Sequence, residues 1–141
     1  MKNFEKEFFA KHEPEILPVL RAAVVGIAGA GGLGSNAAVA LARAGVGKLI
    51  IADHDRIEIS NLNRQQYFWP QIGKVKVRAL IENLRKISPF SEYVGHHVRL
   101  THKNIPRIFR AVDVMIEAFD LADQKEMLLE TWISHFPKKP I

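Results

Sequence analysis

Residues 26–35 read GIAGAGGLGS, and this stretch decides the fold of the chain. An apolar run at residues 22–27 precedes it, and a helical pattern at residues 33–44 follows it. Strand, glycine turn and helix in this order form the context in which a GxGxxG pattern indicates a nucleotide site. The glycines allow the backbone to bend tightly and to approach a phosphate without a Cβ atom in the way. The helix that begins there directs free N–H groups and the positive end of its dipole toward the anion.

Apolar runs and helical patterns alternate along the rest of the chain. Two short helices are predicted before the first strand. Strands are predicted at residues 22–28, 48–53, 93–100 and 112–119, and helices at 33–44, 61–69, 74–87, 104–109 and 122–135. This alternation predicts an α/β fold, a Rossmann-like doubly wound and mainly parallel sheet in the order 3-2-1-4 with helices on both faces. The chain then divides into an N-terminal helical segment, residues 1–21, and a nucleotide-binding domain, residues 22–141.

Length and composition fit one domain with a substantial core. The chain has 141 residues, of which 48% are hydrophobic and 25% are charged, as in ordinary globular proteins. No apolar run approaches the roughly 20 residues of a membrane helix, and the charged N-terminus does not resemble a signal peptide. We therefore expect a cytoplasmic protein. The net charge is +5, but the basic residues are scattered, which favours solvated helix faces over a nucleic-acid surface.

The chain contains no cysteine. This excludes disulfides, thiolate zinc sites and a cysteine nucleophile within these residues. A persulfide or thioester step would therefore need a cysteine from elsewhere.

Three features fall at the carboxyl ends of predicted strands, where a doubly wound sheet forms its crevice. The glycine turn follows strand one, Asp53 follows strand two and Asp120 follows strand four. Asp53 lies roughly 20 residues past the glycines, the spacing of an acid that binds ribose hydroxyls. A turn or helix-start aspartate is the alternative interpretation of Asp53, and an N-cap is the alternative for Asp120.

Two cations follow Asp53 closely. A nicotinamide enzyme does not need Arg64 and Lys74 there, whereas the oxygens of a nucleoside triphosphate suit a guanidinium and an ammonium. Asp120 would then suit Mg²⁺, which prefers one or two carboxylates together with phosphate oxygens and water. A surface ion pair for Arg64 and a first-turn helix position for Lys74 are the alternatives.

Four segments together resemble the ThiF/MoeB/HesA family, the bacterial relatives of the ubiquitin-activating enzymes, and the likeness is closest to its ThiF-type proteins. They read GAGGLGS at 29–35, DHD at 53–55, SNLNRQ at 60–65 and GKVK at 73–76. The resemblance implies ATP-dependent adenylation of the C-terminal glycine carboxylate of a ubiquitin-like sulfur carrier that ends in Gly-Gly, with release of pyrophosphate. It implies a role in sulfur transfer of the thiamine or molybdopterin type, and a homodimer.

The resemblance also implies roles for individual residues. It implies that Arg64, Lys74 and Asp120 are catalytic, and that Asp120 binds Mg²⁺. Leu121 stands where the family usually has Asn, and no residue here matches the arginine that many members supply from a neighbouring subunit. The residues that it assigns to ATP binding are Gly29, Gly31, Gly32, Gly34, Asp53, Asp55, Asn61, Arg64, Gln65 and Lys74.

Several alternatives stay open. One is an enzyme of the same family, a tRNA threonylcarbamoyladenosine dehydratase; another is an NAD-dependent oxidoreductase or a non-catalytic nucleotide-binding module. The aromatic group at residues 67–69 is interpreted as packing or as a dimer interface rather than as a carrier-binding surface. Residues 137–141 resemble the approach to a fifth strand. We therefore expect the domain to be truncated at its C-terminus, with strand four either dimerising or paired by strands beyond Ile141.

Overall fold

A computed structural model describes residues 2–141 of the chain. Its centre is a four-stranded sheet in the order β3-β2-β1-β4 with every pair parallel. This confirms the predicted α/β fold class and the predicted strand order. The strands are β1 (Val24–Ala28), β2 (Lys48–Asp53), β3 (Glu92–His97) and β4 (Val114–Glu117).

Six α-helices accompany the sheet in the described residues. Two single turns of 3-10 helix, Ile59–Asn61 and Trp69–Gln71, replace the irregular helix predicted at 61–69. There the Asn61 side chain accepts a hydrogen bond from the Glu58 N–H and closes the first turn. The α-helices are α1 (Lys2–Phe8), α2 (Ile16–Ala22), α3 (Gly32–Ala44), α4 (Lys76–Ile87), α5 (Ile105–Ile108) and α6 (Ala122–His135).

The sheet is covered on both faces, as the doubly wound prediction requires. On one face, Ile27 and Ile51 pack with alanines of α3 and with Leu80 of α4. On the other face, Ile50 packs with residues of α5 and α6, including the fully buried Trp132. Strands buried on both sides explain the continuous apolar runs in the sequence.

Between the first two helices, the buried ring of Phe9 lies against Phe90, which precedes β3. Arg21 joins them, since its guanidinium donates to the Phe90 carbonyl at 2.6 Å and pairs with Glu5 at 2.7 Å. The predicted segment 1–21 also includes Met1, which lies outside the described residues. Within residues 2–141, no helix combines the length and the apolar character that crossing a bilayer requires.

β4 forms one edge of the sheet, because only β1 pairs with it as a strand. The tail after α6 touches this edge at one point, where the Met115 N–H donates to the Pro140 carbonyl at 3.0 Å. The expectation that further strands or a second subunit cover the edge stays a prediction.

Candidate functional site

A cleft of about 550 Å³ opens at the carboxyl ends of β1, β2 and β4. Its size falls in the range of small-molecule and cofactor sites, roughly 300–1,000 Å³. The residues that line it come from the glycine turn, the segment after β2, the start of α4 and the segments that follow β3 and β4. The lining includes Gly29, Gly31, Gly32, Asp53, Asp55, Arg64, Gln65, Lys76 and Asp120.

Glycine is required at two positions of the turn. Gly29 has φ +106°, and a Cβ atom there would lie 2.8 Å from the Ala118 carbonyl oxygen. A Cβ atom on Gly34 would lie 1.8 Å from the Gly29 carbonyl oxygen, so only glycine lets α3 approach the turn this closely. Gly34 is buried and does not line the cleft. Its place indicates a packing role rather than contact with a ligand.

The N-terminus of α3 opens onto the cleft. The helix begins at Gly32 with Gly31 as its N-cap residue, and both glycines line the cleft. The N–H groups of a first helical turn have no partner within their own helix, and the helix dipole is positive at this end. This end of the cleft therefore favours an anion, and phosphate is a common occupant of such a position.

Asp53 ties the end of β2 to the glycine turn. Its Oδ2 accepts a hydrogen bond from the Ala30 N–H at 2.7 Å, and its Oδ1 accepts one from the Asp55 N–H at 2.6 Å. A carboxylate has about four lone-pair positions, so acceptor capacity remains on the half-buried Asp53. The structure thus gives Asp53 a fixed orientation at the cleft.

The segment that follows the first 3-10 turn is held against α3. The Asn36 amide donates to the Arg64 carbonyl at 2.8 Å, and the Gln66 N–H donates to Ser35 Oγ at 3.1 Å. These bonds place the Arg64 side chain beside Gly32, where a Cβ atom would lie 3.8 Å from its Cδ. The exposed guanidinium therefore lies next to the first turn of α3.

Gln65 and Asn61 differ in their position relative to the cleft. Gln65 lines the cleft and is 8% exposed, and its Oε1 has no hydrogen-bond partner among residues 2–141. A buried acceptor without a partner is costly, which fits a site that a ligand donor completes. Asn61 is buried away from the cleft, where its side chain caps the 3-10 turn. The structure therefore gives Asn61 a scaffolding position.

The two lysines of the GKVK segment occupy opposite environments. Lys74, which the sequence analysis assigns to phosphate, does not line the cleft; its exposed ammonium lies 3.7 Å from Glu82. Lys76 lines the cleft, is 6% exposed, and has its Nζ 3.6 Å from Asp55 Oδ2. In this structure Lys76 therefore occupies the position that the sequence analysis gives to Lys74.

The backbone explains this difference between the two lysines. The helical pattern in the sequence begins at residue 74, but in the structure the Ile57 N–H donates to the Lys74 carbonyl at 2.9 Å. The Lys76 N–H donates to the Asp55 carbonyl at 3.0 Å, and α4 begins only at Lys76. This pairing across the loop turns Lys76 toward the cleft. Local sequence carries no signal for it beyond the presence of two lysines.

Asp120 lies at the mouth of the cleft on the segment between β4 and α6. Its exposed carboxylate has no hydrogen bond or ion pair with any of residues 2–141, so its oxygens are accessible to a cation. One carboxylate with phosphate oxygens and water satisfies Mg²⁺, and Asp120 fits that requirement.

A second group of possible metal ligands lies after β2, where Asp53, His54 and Asp55 bring three ligand atoms within 4.8 Å of one another. Lys76 already neutralises part of that cluster.

Part of the cleft lining is apolar. It consists of Val98 and Leu100, which follow β3, together with Ala52, Ala118 and Phe119. Apolar walls combined with an anion-binding helix N-terminus match a nucleotide, whose base is flat and weakly polar and whose phosphates are charged. No pattern in the sequence distinguishes these apolar residues, because a buried aliphatic residue resembles any other core position.

Known proteins share this architecture. The ThiF family model matches residues 7–141. The adenylyltransferase and sulfurtransferase uba4 of Aspergillus terreus is 42% identical over 113 residues, which cover 79% of this chain and 23% of that protein. The adenylyltransferase and sulfurtransferase MOCS3 of Aedes aegypti is 32% identical over 123 residues, which cover 86% of this chain and 28% of that protein. The chain thus spans about a quarter of the length of these curated relatives.

A solved structure shares the fold over nearly the whole chain. The E. coli tRNA N6-threonylcarbamoyladenosine dehydratase TcdA in complex with ATP superposes with a TM-score of 0.86 at 26% identity. The superposition covers 95% of this chain and 55% of that one. A complex of TcdA with AMP matches equally well. Because the family model spans almost every residue and the fold agrees, the chain belongs to the ThiF family.

Proposed function

We propose that this chain binds ATP in the cleft and adenylates the C-terminal glycine carboxylate of a ubiquitin-like sulfur carrier protein. The observation that carries the proposal is that Arg64 and Lys76 line the same cleft as the N-terminus of α3 and a set of apolar residues. Relatives named adenylyltransferase and sulfurtransferase support the reaction. The complexes of TcdA with ATP and AMP support the choice of nucleotide.

Each part of the nucleotide has a complementary part of the cleft. The base lies against Val98 and Leu100, and the ribose hydroxyls donate to Asp53. The phosphates accept hydrogen bonds from the backbone N–H groups at Gly31 and Gly32. The unpaired Gln65 Oε1 accepts from a donor of the nucleotide, which satisfies that buried atom.

The chemical step needs no nucleophile from the protein. An oxygen of the carrier's carboxylate attacks the α-phosphorus and forms a new P–O bond. The bond from the α-phosphorus to the bridging oxygen breaks, and pyrophosphate leaves with that electron pair. The product is an acyl adenylate, and no proton needs to move. The protein therefore contributes positioning and stabilisation of negative charge on the phosphoryl oxygens.

Arg64 and Lys76 supply that stabilisation in the proposal. Arg64 offers a planar fork that binds two phosphate oxygens together, and Lys76 offers a point charge fixed by its burial. Lys76 takes the place that the sequence analysis gives to Lys74, because only Lys76 lines the cleft. Asp120 would hold Mg²⁺, which when bound would neutralise charge on the phosphates.

The proposal for these 141 residues is limited to adenylation. Sulfur transfer through a persulfide requires a cysteine thiolate, and this sequence contains none. A carrier of the thiamine or molybdopterin type remains the proposed partner. Its C-terminal Gly-Gly suits a narrow approach to the α-phosphorus, because glycines have no side chain to exclude.

A second candidate function rests on the similarity to TcdA, which extends over 95% of this chain. In that candidate the carboxylate belongs to a threonylcarbamoyl group on tRNA rather than to a protein. Both candidates use the same nucleotide site, so they differ only in the acceptor.

ATP–pyrophosphate exchange distinguishes the two acceptors. We expect exchange with a carrier that ends in Gly-Gly, and none with the same carrier lacking its final glycine. Exchange with tRNA and not with any carrier would replace the first candidate by the second. A clear preference for NAD over ATP in calorimetry would contradict both.

A further inference from the structure

The peptide groups of Ala30, in the glycine turn, are held from two sides. The Ala30 N–H donates to Asp53 Oδ2 at 2.7 Å, and the Ala30 carbonyl accepts a hydrogen bond from the Tyr67 hydroxyl at 2.6 Å. Tyr67 is 6% exposed and is not part of the cleft lining. Its hydroxyl therefore contacts the turn from outside the cleft.

The hydrogen bond from Tyr67 to the Ala30 carbonyl also fixes the direction of the Gly31 N–H group. In a trans peptide the carbonyl of one residue and the N–H of the next point in opposite directions. With the Ala30 carbonyl turned to Tyr67, the Gly31 N–H points away from Tyr67. Gly31 lines the cleft, and no acceptor among residues 2–141 pairs with its N–H. This N–H is therefore available to an anion.

The surroundings keep Tyr67 a hydrogen-bond donor. Burial, together with the carboxylates of Asp53 and Asp55, raises the pKa of Tyr67 above its usual value. The phenol thus stays protonated at any physiological pH.

Without this hydroxyl, the turn can adopt a second backbone conformation. Glycine accepts positive and negative φ almost equally, so the peptide between Ala30 and Gly31 can rotate. After rotation the carbonyl oxygen, instead of the N–H, would face a bound phosphate, and the two would repel each other.

We infer that Tyr67 is a positioning residue for the nucleotide phosphates, because its hydroxyl fixes the peptide that presents the Gly31 N–H to them. The inference rests on the proposed ATP site. It assigns a role to a residue that touches neither the nucleotide nor the reacting atoms.

The chain offers a matched control. It has two tyrosines, and Tyr93 is also 6% exposed, with its hydroxyl donating to the Ser88 carbonyl at 2.7 Å. Tyr67→Phe and Tyr93→Phe each remove one buried phenol-to-carbonyl hydrogen bond, but Tyr93 is remote from the cleft. The two variants should therefore lose stability by a similar amount.

Calorimetry with ATP and with adenosine tests the inference. For Tyr67→Phe we expect ATP to bind about three- to tenfold more weakly, the range of one neutral hydrogen bond. Adenosine, which has no phosphate, should bind as it does to the unmodified protein. Tyr93→Phe should bind both ligands normally while its melting temperature falls as much as that of Tyr67→Phe.

Two results would overturn the inference while leaving the ATP site intact. One is unchanged ATP affinity in Tyr67→Phe, and the other is equal weakening of ATP and adenosine. Failure of the unmodified protein to bind ATP would instead overturn the proposed function, and this inference with it.

Discussion

The two lysines of the GKVK segment give a paired test of the site, Lys76→Met against Lys74→Met. Methionine keeps an unbranched side chain of similar length and removes the charge. Lys76 lies at the cleft and is 6% exposed, whereas the exposed ammonium of Lys74 lies 3.7 Å from Glu82. The same substitution therefore removes a proposed phosphate donor in one case and a surface charge in the other.

The expected changes in exchange rate and melting temperature follow from these positions. Loss of one preorganised donor typically lowers the rate of the chemical step about a hundred- to a thousandfold, and we expect Lys76→Met to fall in that range. An exposed ion pair contributes about 0–1 kcal/mol, so Lys74→Met should change the melting temperature slightly and the exchange rate by less than about twofold. Folding of both variants should be intact, because neither leaves a cavity.

ATP–pyrophosphate exchange measures the rates, and calorimetry with MgATP checks binding without any acceptor. Circular dichroism of each variant controls for folding. A loss of exchange in Lys74→Met as large as that in Lys76→Met would refute the placement of the two ammonium groups. Normal exchange in Lys76→Met would show that Lys76 does not contribute to adenylation.

Three further predictions concern other parts of the structure. Arg64→Ala should lower exchange about a hundredfold or more with folding intact, which exchange rates and circular dichroism check together; a near-normal rate would mean that the guanidinium does not reach the phosphates. Gly34→Ala places a Cβ atom 1.8 Å from the Gly29 carbonyl oxygen, so it should displace α3 and strongly lower the melting temperature; an unchanged melting temperature would contradict the tight approach of helix and turn. Phe68 and Trp69 are 62% and 69% exposed, and if a second copy of the chain covers them, replacing both with serine should convert a dimer to a monomer in sedimentation; an unchanged sedimentation coefficient would place the interface elsewhere.

Local sequence accounts for the fold and for the residues that lie at strand ends. The glycine pattern at 26–35 and the apolar runs predict the strand order, because parallel strands with right-handed crossovers leave few arrangements. Asp53 and Asp120 follow from the same argument, since the carboxyl ends of β2 and β4 must meet at the cleft. These predictions depend on order along the chain, which the sequence contains.

Contacts between distant segments account for what the sequence did not predict. The position of Lys76 depends on the pairing of Ile57 with Lys74 across a loop. The contact of Tyr67 with Ala30 joins residues 37 positions apart. Asn61 resembles a ligand in the SNLNRQ pattern, yet its side chain accepts a local hydrogen bond from the Glu58 N–H and caps the turn that precedes Arg64. For Lys76 and Tyr67 the tertiary hydrogen bond, rather than a local pattern, decides the role.

Direct detection of the acyl adenylate tests the central claim, that this cleft activates a carboxylate with ATP. The carrier protein is incubated with MgATP and the chain, then treated with hydroxylamine, and its intact mass is measured. The account predicts a hydroxamate at the C-terminal glycine with the unmodified protein and almost none with Lys76→Met or Arg64→Ala. Full hydroxamate formation with both variants, or its absence with every Gly-Gly carrier despite tight ATP binding, would contradict the account.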